Sequence, residues 1–234
     1  MGRYARITHP GLIYHVIKRG NNKEVIFAED EDYQHYLNTL QRYKKKYGFK
    51  LFAYCLMTNH VHLLIKVGQE GTISRIVQSI TIAHIRYYNY VYRRCGHVWQ
   101  GRFHSPIVSE DGYFLNVMKY IEQNPIRAGM VKNIEDYRWS SYWLNVRKKK
   151  SVLVDRDENL VFRGLGSEDQ ERIKAYKNLV DVSLDEDELR EIQISTRKGN
   201  NYLSEKFRKQ INALLPNKRR RGRPRKSCID IYPN

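Results

Sequence analysis

The sequence predicts an α+β fold of the ferredoxin-like type, in which an antiparallel sheet carries helices on one face. Two observations predict it. The elements follow the order strand, helix, strand, strand, helix, strand, which is the order of the ferredoxin-like split unit. The 234 residues, 41% of them apolar, also suffice for one packed domain with an extension.

The first half of this order follows from residue types and their spacing. Residues 11–20 are rich in β-branched and aromatic side chains and run into a Gly-Asn-Asn turn, which predicts the first strand. Residues 30–47 repeat tyrosine and leucine at spacings of three or four, which predicts a helix. Residues 49–57 and 61–67 are apolar runs separated by Thr58-Asn59, so they predict a hairpin.

The second half continues in the same way. Residues 72–94 place isoleucine and valine along one face and predict a second helix. Residues 98–108 predict a fourth strand, and residues 111–124 predict a third helix that Pro125 ends. Further helical spacing in residues 168–215 predicts a helical extension to the sheet domain.

The positive charge is high and unevenly placed. A formal charge of +17 and a pI near 9.8 attract polyanions, so nucleic acid is the expected partner. Residues 1–150 carry +13 and residues 218–226 carry +7, whereas residues 151–217 carry −2. The predicted division is therefore a main domain over residues 1–150, a helical C-terminal extension over 151–216 and a basic tail over 217–234.

The cysteines and the apolar segments indicate where the protein works. Cys55, Cys95 and Cys228 are odd in number and widely spaced and form no CxxC pair, so neither a zinc knuckle nor a redox site is predicted. The chain shows no segment typical of a signal peptide or a membrane span. We expect a protein of the reducing cytoplasm that does not bind membranes.

The segment Asn59-His60-Val61-His62 is the first candidate for a functional site. In a strand, residues i and i+2 point to the same face about 6.5–7 Å apart, so His60 and His62 could share one metal ion while Val61 packs inward. The next residues are apolar, which argues against a metallo-β-lactamase type of site. The alternative is that both histidines are ordinary strand residues.

Two histidines need a third ligand from elsewhere, and the third predicted helix offers one. Asn124 lies four positions after Tyr120 and so on the same side of that helix, with Gln123 as the fallback. Because Asn124 precedes Pro125, its backbone is biased away from helical geometry. For Tyr120 the alternative is a core aromatic residue, one of 18 tyrosines in the chain.

Several segments carry a resemblance to a known family. The sequence closely resembles the single-tyrosine HUH transposases over residues 5–145, and its basic end is similar to the subgroup of REP-associated tyrosine transposases. The segments are YCLMTNHVHLLI (54–65), VWQGRFHSPIV (98–108), YIEQNPIRAGMV (120–131), YRWSSY (137–142) and RRGRPRK (220–226).

This resemblance implies a metal-dependent enzyme that cuts and rejoins single-stranded DNA at hairpin-flanked repeats. It implies that His60 and His62 hold Mg²⁺ or Mn²⁺, that Asn124 completes the metal shell, and that Tyr120 is the nucleophile. Histidine ligands ordinarily favour zinc, so the choice of ion rests on the family. Only Tyr120 stands in the Y-x-x-x-N-P context, which disfavours the other candidate tyrosines, namely Tyr87, Tyr88, Tyr90, Tyr92 and Tyr113.

Candidate DNA contacts lie on the predicted fourth strand and just after the third helix. Trp99, Gln100 and Arg102 combine an aromatic ring with polar and basic groups, the combination that binds single strands. The alternative for Trp99 and Phe103 is a place in the core. Arg127 is a further candidate phosphate ligand, or else part of a structural salt bridge.

The basic tail resembles an AT-hook. Arg221 and Arg223 flank Gly222 and precede Pro224, and such a segment can lie in a narrow minor groove with its arginines pointing inward. The alternative is a solvated charge run. A hook would bind the duplex stem of a hairpin next to the cut site.

Two other function classes remain open on the sequence. One is a DNA-binding regulator that keeps the fold without catalysis. The other is a metallohydrolase in which water, not Tyr120, attacks the phosphate. The sequence also leaves open whether the protein is a monomer or a homodimer and which group deprotonates Tyr120.

Overall fold

The fold is seen in a computed structural model, which describes residues 7–109, 111–147, 151–198, 203 and 205–214. Its centre is a four-stranded antiparallel sheet in the order β2-β3-β1-β4. This is the strand order of the ferredoxin-like split unit, so the predicted fold class is confirmed. The strands are β1 (Ile13–Arg19), β2 (Lys50–Met57), β3 (His60–Lys66) and β4 (Ile107–Val108).

Two long helices cover one face of the sheet, α1 (Asp30–Tyr47) and α2 (Ile73–Val91). A capping box between Glu29 and Asp32 begins α1, and Thr72 caps α2 by accepting a hydrogen bond from the backbone of Arg75. Gly48 ends α1 in the left-handed conformation, with φ of 59°, which a glycine adopts at little cost. The helices therefore begin and end close to where their sequences predict.

The fourth strand is much shorter than residues 98–108, and that prediction is wrong in length. Only Ile107 and Val108 form a strand, although isolated bridges join Trp99 to Gly20 and His104 to Ile17. Gly101 has a φ of +43° and breaks the extended path. Pro106, which lacks a backbone N–H, follows. The segment runs beside β1 without forming a continuous ladder.

The third helix, α3 (Gly112–Glu122), lies on the opposite face of the sheet. His15 and Lys18 of β1 point to opposite faces because they are three positions apart. His15 contacts Tyr120 of α3, whereas Lys18 lies over Trp99, which packs against α1 and α2. The sheet is thus enclosed between two helical layers. The prediction of helices on one face describes α1 and α2, and α3 adds a second layer on the opposite face that the sequence did not predict.

The third helix ends at Glu122, ahead of Pro125 as predicted, but Pro125 itself is helical. It occupies the first turn of a second short helix, α4 (Asn124–Arg127), where its missing N–H costs nothing. A further short helix, α5 (Tyr142–Asn145), follows next to β2, and Ser141 just before it accepts a hydrogen bond from the backbone of Tyr54.

The extension packs onto the sheet domain. Its helices are α6 (Leu160–Arg163), α7 (Asp169–Asp181) and α8 (Glu186–Lys198). The described residues up to Leu203 belong to one compact unit, and a last helix, α9 (Glu205–Leu214), belongs to a second. The division at residues 150 and 216 stays a prediction, and the tail 217–234 lies outside the described residues.

No helix within the described ranges has the length and apolar character needed to cross a membrane.

Candidate active site

The two histidines of the NHVH segment stand on the face of the sheet that α3 covers. His60 and His62 alternate with Val61, which is buried on the other face. In the ladder between β3 and β1, His62 lies opposite Ile17. The centres of the two imidazole rings are 5.0 Å apart. Strand alternation therefore places both rings side by side, as the sequence predicts.

Each of these histidines uses its Nδ1 atom in a contact within the protein. Nδ1 of His60 lies 2.7 Å from Oδ1 of Asn59. Nδ1 of His62 lies 2.9 Å from Nε2 of His15, a residue of β1 that is 1% exposed. The Nε2 atoms of His60 and His62 are thus the ring nitrogens left for a ligand.

Tyr120 of α3 approaches His62 and His15. The centre of its ring is 5.9 Å from that of His62 and 5.8 Å from that of His15. The side chain is 7% exposed. The tyrosine and both histidines come from one chain, so the residues that the sequence proposed for the reaction meet without a second copy.

Arg127 of α4 lies against the tyrosine. Its guanidinium carbon is 4.3 Å from the ring centre of Tyr120, and Nη2 donates a hydrogen bond to the backbone oxygen of the same residue. The sequence left two roles open, phosphate ligand and structural salt bridge. The structure shows a cation–π contact instead: the residue as a whole is exposed, but its guanidinium is partly buried against the ring, and this burial lowers its pKa. A partly buried cation next to Tyr120 remains a candidate to bind a phosphate.

The site favours neutral imidazoles. Burial, followed by the charge of Arg19, lowers the pKa of His60 to about 4. Burial, followed by the neighbouring rings of His60 and His15, lowers the pKa of His62 well below its usual value. A histidine must be neutral to bind a metal ion, so both rings are in the required protonation state at neutral pH.

Tyr120 is protonated at neutral pH. Burial raises the pKa of its phenol above 10, and the nearby arginines Arg127, Arg197 and Arg19 oppose that rise. A proton must therefore leave the hydroxyl when it acts as a nucleophile. These three arginines also stabilise the phenolate, because their positive charges attract the negative charge that forms on its oxygen.

The ring separation fits a shared divalent ion. An imidazole that binds a metal through a ring nitrogen at about 2.1 Å places its centre roughly 3.3 Å from the ion. Two such rings at tetrahedral or octahedral angles have centres about 4.7 to 5.4 Å apart. The observed 5.0 Å lies within that range. The part of the chain that the structure describes contains no group of three or more His, Cys, Asp or Glu side chains arranged for a metal.

The third ligand that the sequence proposes is an amide, Asn124. Nδ2 of Asn124 donates hydrogen bonds to the backbone oxygens of Tyr120 and Ile121, at 2.9 and 3.2 Å. Its Oδ1 atom is the one that can bind a cation, and its role as ligand stays a prediction. The fallback, Gln123, donates through Nε2 to the backbone oxygens of Val180 and Val182 in the extension.

The DNA-contact candidates differ in accessibility. Trp99 is 5% exposed and packs against the rings of His84 and Tyr36, so the core alternative describes its position. Arg102 and Gln100 are exposed on the loop between Trp99 and β4. Arg221 and Arg223 lie outside the described residues.

The sequence did not predict that His15 and Asn59 contact the site histidines. Asn59 stands directly before His60, so its proximity could have been inferred. His15 is 47 positions away from His62, and only the register of β1 against β3 brings the two rings together. A single histidine in an apolar strand gives no local signal of such a contact.

The comparisons with known proteins agree with this geometry. Residues 8–124 match the protein family described as "Transposase IS200 like". That segment is half of the chain and contains both histidines of the NHVH segment, Tyr120 and Asn124. The chain belongs to the IS200-like transposase family. The family that the sequence motifs indicated is thereby confirmed.

One curated protein and one solved structure that this IS200-like transposase resembles are named as REP-associated. A curated Haemophilus influenzae protein named as a REP-associated tyrosine transposase is 28% identical over 116 residues. That match covers 43% of this chain and 63% of the relative, which is less than two thirds of its length. A solved REP-associated tyrosine transposase bound to a REP hairpin has a TM-score of 0.54 at 19% identity. It covers 66% of this chain and 94% of its own, and shows that the two share a fold.

Proposed function

We propose that this IS200-like transposase cleaves and rejoins single-stranded DNA through a covalent bond between Tyr120 and a 5′ phosphate. One observation carries the proposal. The phenol of Tyr120 and the imidazoles of His60 and His62 converge on one face of the sheet within one chain, with His62 and Tyr120 5.9 Å apart.

The chemistry explains why these groups belong together. His60, His62 and Asn124 would hold a divalent ion, Mg²⁺ or Mn²⁺, which would supply positive charge to neutralise the phosphate during attack. Arg127 and Arg19 add fixed positive charge at the same place. A phosphodiester repels nucleophiles, so charge neutralisation is the main contribution that such a site can make.

The covalent step conserves the energy of the bond that is broken. Oη of Tyr120 loses its proton and forms a bond to phosphorus, while the bond from phosphorus to the 3′ oxygen breaks and that oxygen takes up a proton. The products are DNA joined through its 5′ phosphate to Tyr120 and a free 3′-OH. A second 3′-OH can attack the phosphotyrosine and reverse the step without ATP.

The proposed substrate is a single strand with a hairpin or repeat. The solved relative is bound to a REP hairpin, and the charge of +17 suits such a partner. Exposed Arg102 and Gln100 are candidates for contacts near the site, and Arg127 for a phosphate. Arg221 and Arg223 of the tail are candidates for the duplex stem.

The test uses labelled hairpin-containing single strands from the DNA that flanks the gene. With Mg²⁺ or Mn²⁺ we expect a cut and a protein–DNA band that survives denaturant, and neither with EDTA. Tyr120→Phe should abolish both, because it removes the nucleophilic oxygen and little volume. Tyr113→Phe, on the same helix, is the matched control and should retain both.

Other outcomes identify the alternatives. Cutting that persists in Tyr120→Phe without a covalent band indicates a metallohydrolase that uses water. Binding without any cutting in the wild type indicates a DNA-binding regulator. Either result contradicts the proposed function.

A further inference from the structure

A further inference concerns which ring nitrogen of His60 and of His62 is protonated. A neutral imidazole holds one proton, so a ring that binds a metal through one nitrogen must carry its proton on the other. In both His60 and His62 the Nδ1 atom is the one in contact with a protein group. The identity of that group therefore decides whether Nε2 is available as a ligand.

Asn59 decides the matter for His60. Its Nδ2 atom donates to the backbone oxygen of Lys23 at 3.2 Å, which turns Oδ1 toward the histidine. An amide oxygen only accepts hydrogen bonds, so Nδ1 of His60 must carry the proton and Nε2 the lone pair. The turn itself is held because the backbone N–H of Gly20 donates to the backbone oxygen of Asn59 at 2.7 Å.

His15 plays the corresponding part for His62. Its Nε2 atom lies 2.9 Å from Nδ1 of His62. Both side chains are buried between the sheet and α3, away from water. The backbone of His15 is fixed by the ladder with β3 and by a hydrogen bond from its N–H to the oxygen of Pro106. When His15 accepts through Nε2, the proton of His62 lies on Nδ1 and its Nε2 is left as a ligand.

We infer that His15 and Asn59 are positioning residues that fix Nε2 of His62 and Nε2 of His60 as the metal-binding atoms. The inference rests on the proposed function, because it concerns the same metal site. Residues that orient metal-ligating histidines typically change metal affinity by about 10- to 100-fold when they are replaced. Neither residue needs to touch the ion or the DNA.

The first test measures Mn²⁺ binding to the full chain by electron paramagnetic resonance of the free ion. His15→Leu removes the acceptor from the buried ring of His62, and we expect Mn²⁺ affinity to fall roughly 10- to 100-fold. His15→Gln places an amide oxygen at a similar reach and should retain most of the affinity. Asn59→Ala should also weaken binding, because it removes the acceptor of the His60 Nδ1 proton.

Two controls separate this inference from the proposed function. His97→Leu, at an exposed histidine outside the site, should bind Mn²⁺ as the wild type does. His60→Ala should lose binding. If His60→Ala binds as tightly as the wild type, the proposed metal site is wrong. If His60→Ala loses binding while His15→Leu and Asn59→Ala bind like the wild type, only the positioning inference is overturned.

The second test needs no variant and no metal. Nitrogen-15 shifts of labelled histidine distinguish a protonated ring nitrogen from one with a lone pair. In the metal-free wild type we expect a proton on Nδ1 and a lone pair on Nε2 for both His60 and His62. Assignment of the ring proton of either histidine to Nε2 overturns the inference, even if the His15 variants fail to fold.

Discussion

At the scale of single residues, Arg127 is the side chain most closely tied to the proposed nucleophile. It stacks on the ring of Tyr120 at 4.3 Å and also donates to the backbone oxygen of that residue. Its charge acts against the effect of burial on the pKa of the phenol. It therefore both holds Tyr120 in place and favours the phenolate.

Replacing Arg127 should separate these effects from general stability. For Arg127→Ala we expect roughly a tenfold or larger loss of covalent adduct. The free energy of unfolding should fall by about 1 kcal/mol, the size of an exposed cation–π contact with a hydrogen bond. Arg127→Lys keeps the charge but not the planar stacking group, and should be intermediate. Adduct yield per mole of folded protein is the measurement.

Arg138→Ala is the matched control for this substitution. Arg138 lies over the ring of Trp139 at the same 4.3 Å and bonds Asp30 at 2.8 Å, away from the site. Its loss should cost about as little stability and leave the adduct unchanged. Equal losses of adduct in both variants would contradict a specific role for Arg127.

Single residues also differ in how well the sequence predicts their place in the site. His60, His62 and Tyr120 stand in local motifs whose spacing can be read directly, and the structure brings them together. His15 gives no such signal, because its contact depends on strand register. Trp99 was an ambiguous residue, since an aromatic ring beside a basic residue suits both a DNA platform and a core.

At the scale of elements, α3, the helix that carries Tyr120, is held by the extension. Three side chains of α3 and that of the residue after it form hydrogen bonds with α7, α8 or the loop between them. The pairs are Asn116 with Glu188, Lys119 with the oxygen of Ser183, Glu122 with Tyr176, and Gln123 with the oxygens of Val180 and Val182. The extension thus fixes the helix that carries Tyr120.

Glu122 is the centre of this contact and makes it pH-dependent. Its carboxyl group is buried and accepts hydrogen bonds from Ser141, Asn145 and Tyr176 at 2.5, 2.7 and 2.9 Å. Burial raises the pKa of Glu122 to about 7, from 4.5. Above pH 4.5 the unfolded chain releases this proton while the folded chain keeps it. Stability from this group is therefore lost as pH rises from about 4.5 to 7.

Glu122→Gln should remove that dependence. Between pH 5.5 and 7.5 the wild type should lose about 2 kcal/mol of unfolding free energy relative to the variant. Urea unfolding at the two pH values measures the difference. The control is Glu135→Gln, because bonding to Lys177 lowers the pKa of Glu135 and its contribution is lost only at acid pH. A constant difference between wild type and Glu122→Gln would contradict the raised pKa.

The elements were predicted unevenly, for physical reasons. The bounds of α1 match the prediction because capping residues and a left-handed glycine mark both ends. The fourth strand was predicted too long. The apolar residues of 98–108 favour a strand, but Gly101 breaks the extended backbone and Pro106 lacks the N–H needed for a continuous ladder. The hydrogen bonds between the extension and α3 were not predicted at all. They join residues 54 to 72 positions apart, and such distant pairs leave no periodic pattern in the sequence.

At the scale of the whole molecule, charge should govern the proposed encounter with DNA. The chain carries +17, with +7 in residues 218–226. Each phosphate neutralised by a protein cation makes binding more sensitive to salt. The tail should therefore contribute strongly to the salt dependence if it binds a hairpin stem as an AT-hook does.

A double substitution tests this role of the tail. For Arg221→Gln with Arg223→Gln we expect weaker binding to hairpin DNA and a slope of log affinity against log salt that is smaller by about 1.8. Arg163→Gln with Arg190→Gln removes the same charge from the near-neutral extension and should change the slope little. Equal slopes for the two double variants would contradict a specific contact by the tail.

The most direct test of the central claim is the identity of the residue that becomes joined to DNA. After reaction with a cleavable hairpin strand and Mg²⁺, trypsin cuts after Lys119 and Arg127 and yields the peptide YIEQNPIR, which contains one tyrosine. Mass spectrometry should find this peptide carrying the 5′ phosphate end of the DNA on Tyr120. A DNA-linked peptide from any other part of the chain, or cut DNA with a free 5′ phosphate and no linked peptide, would contradict the account.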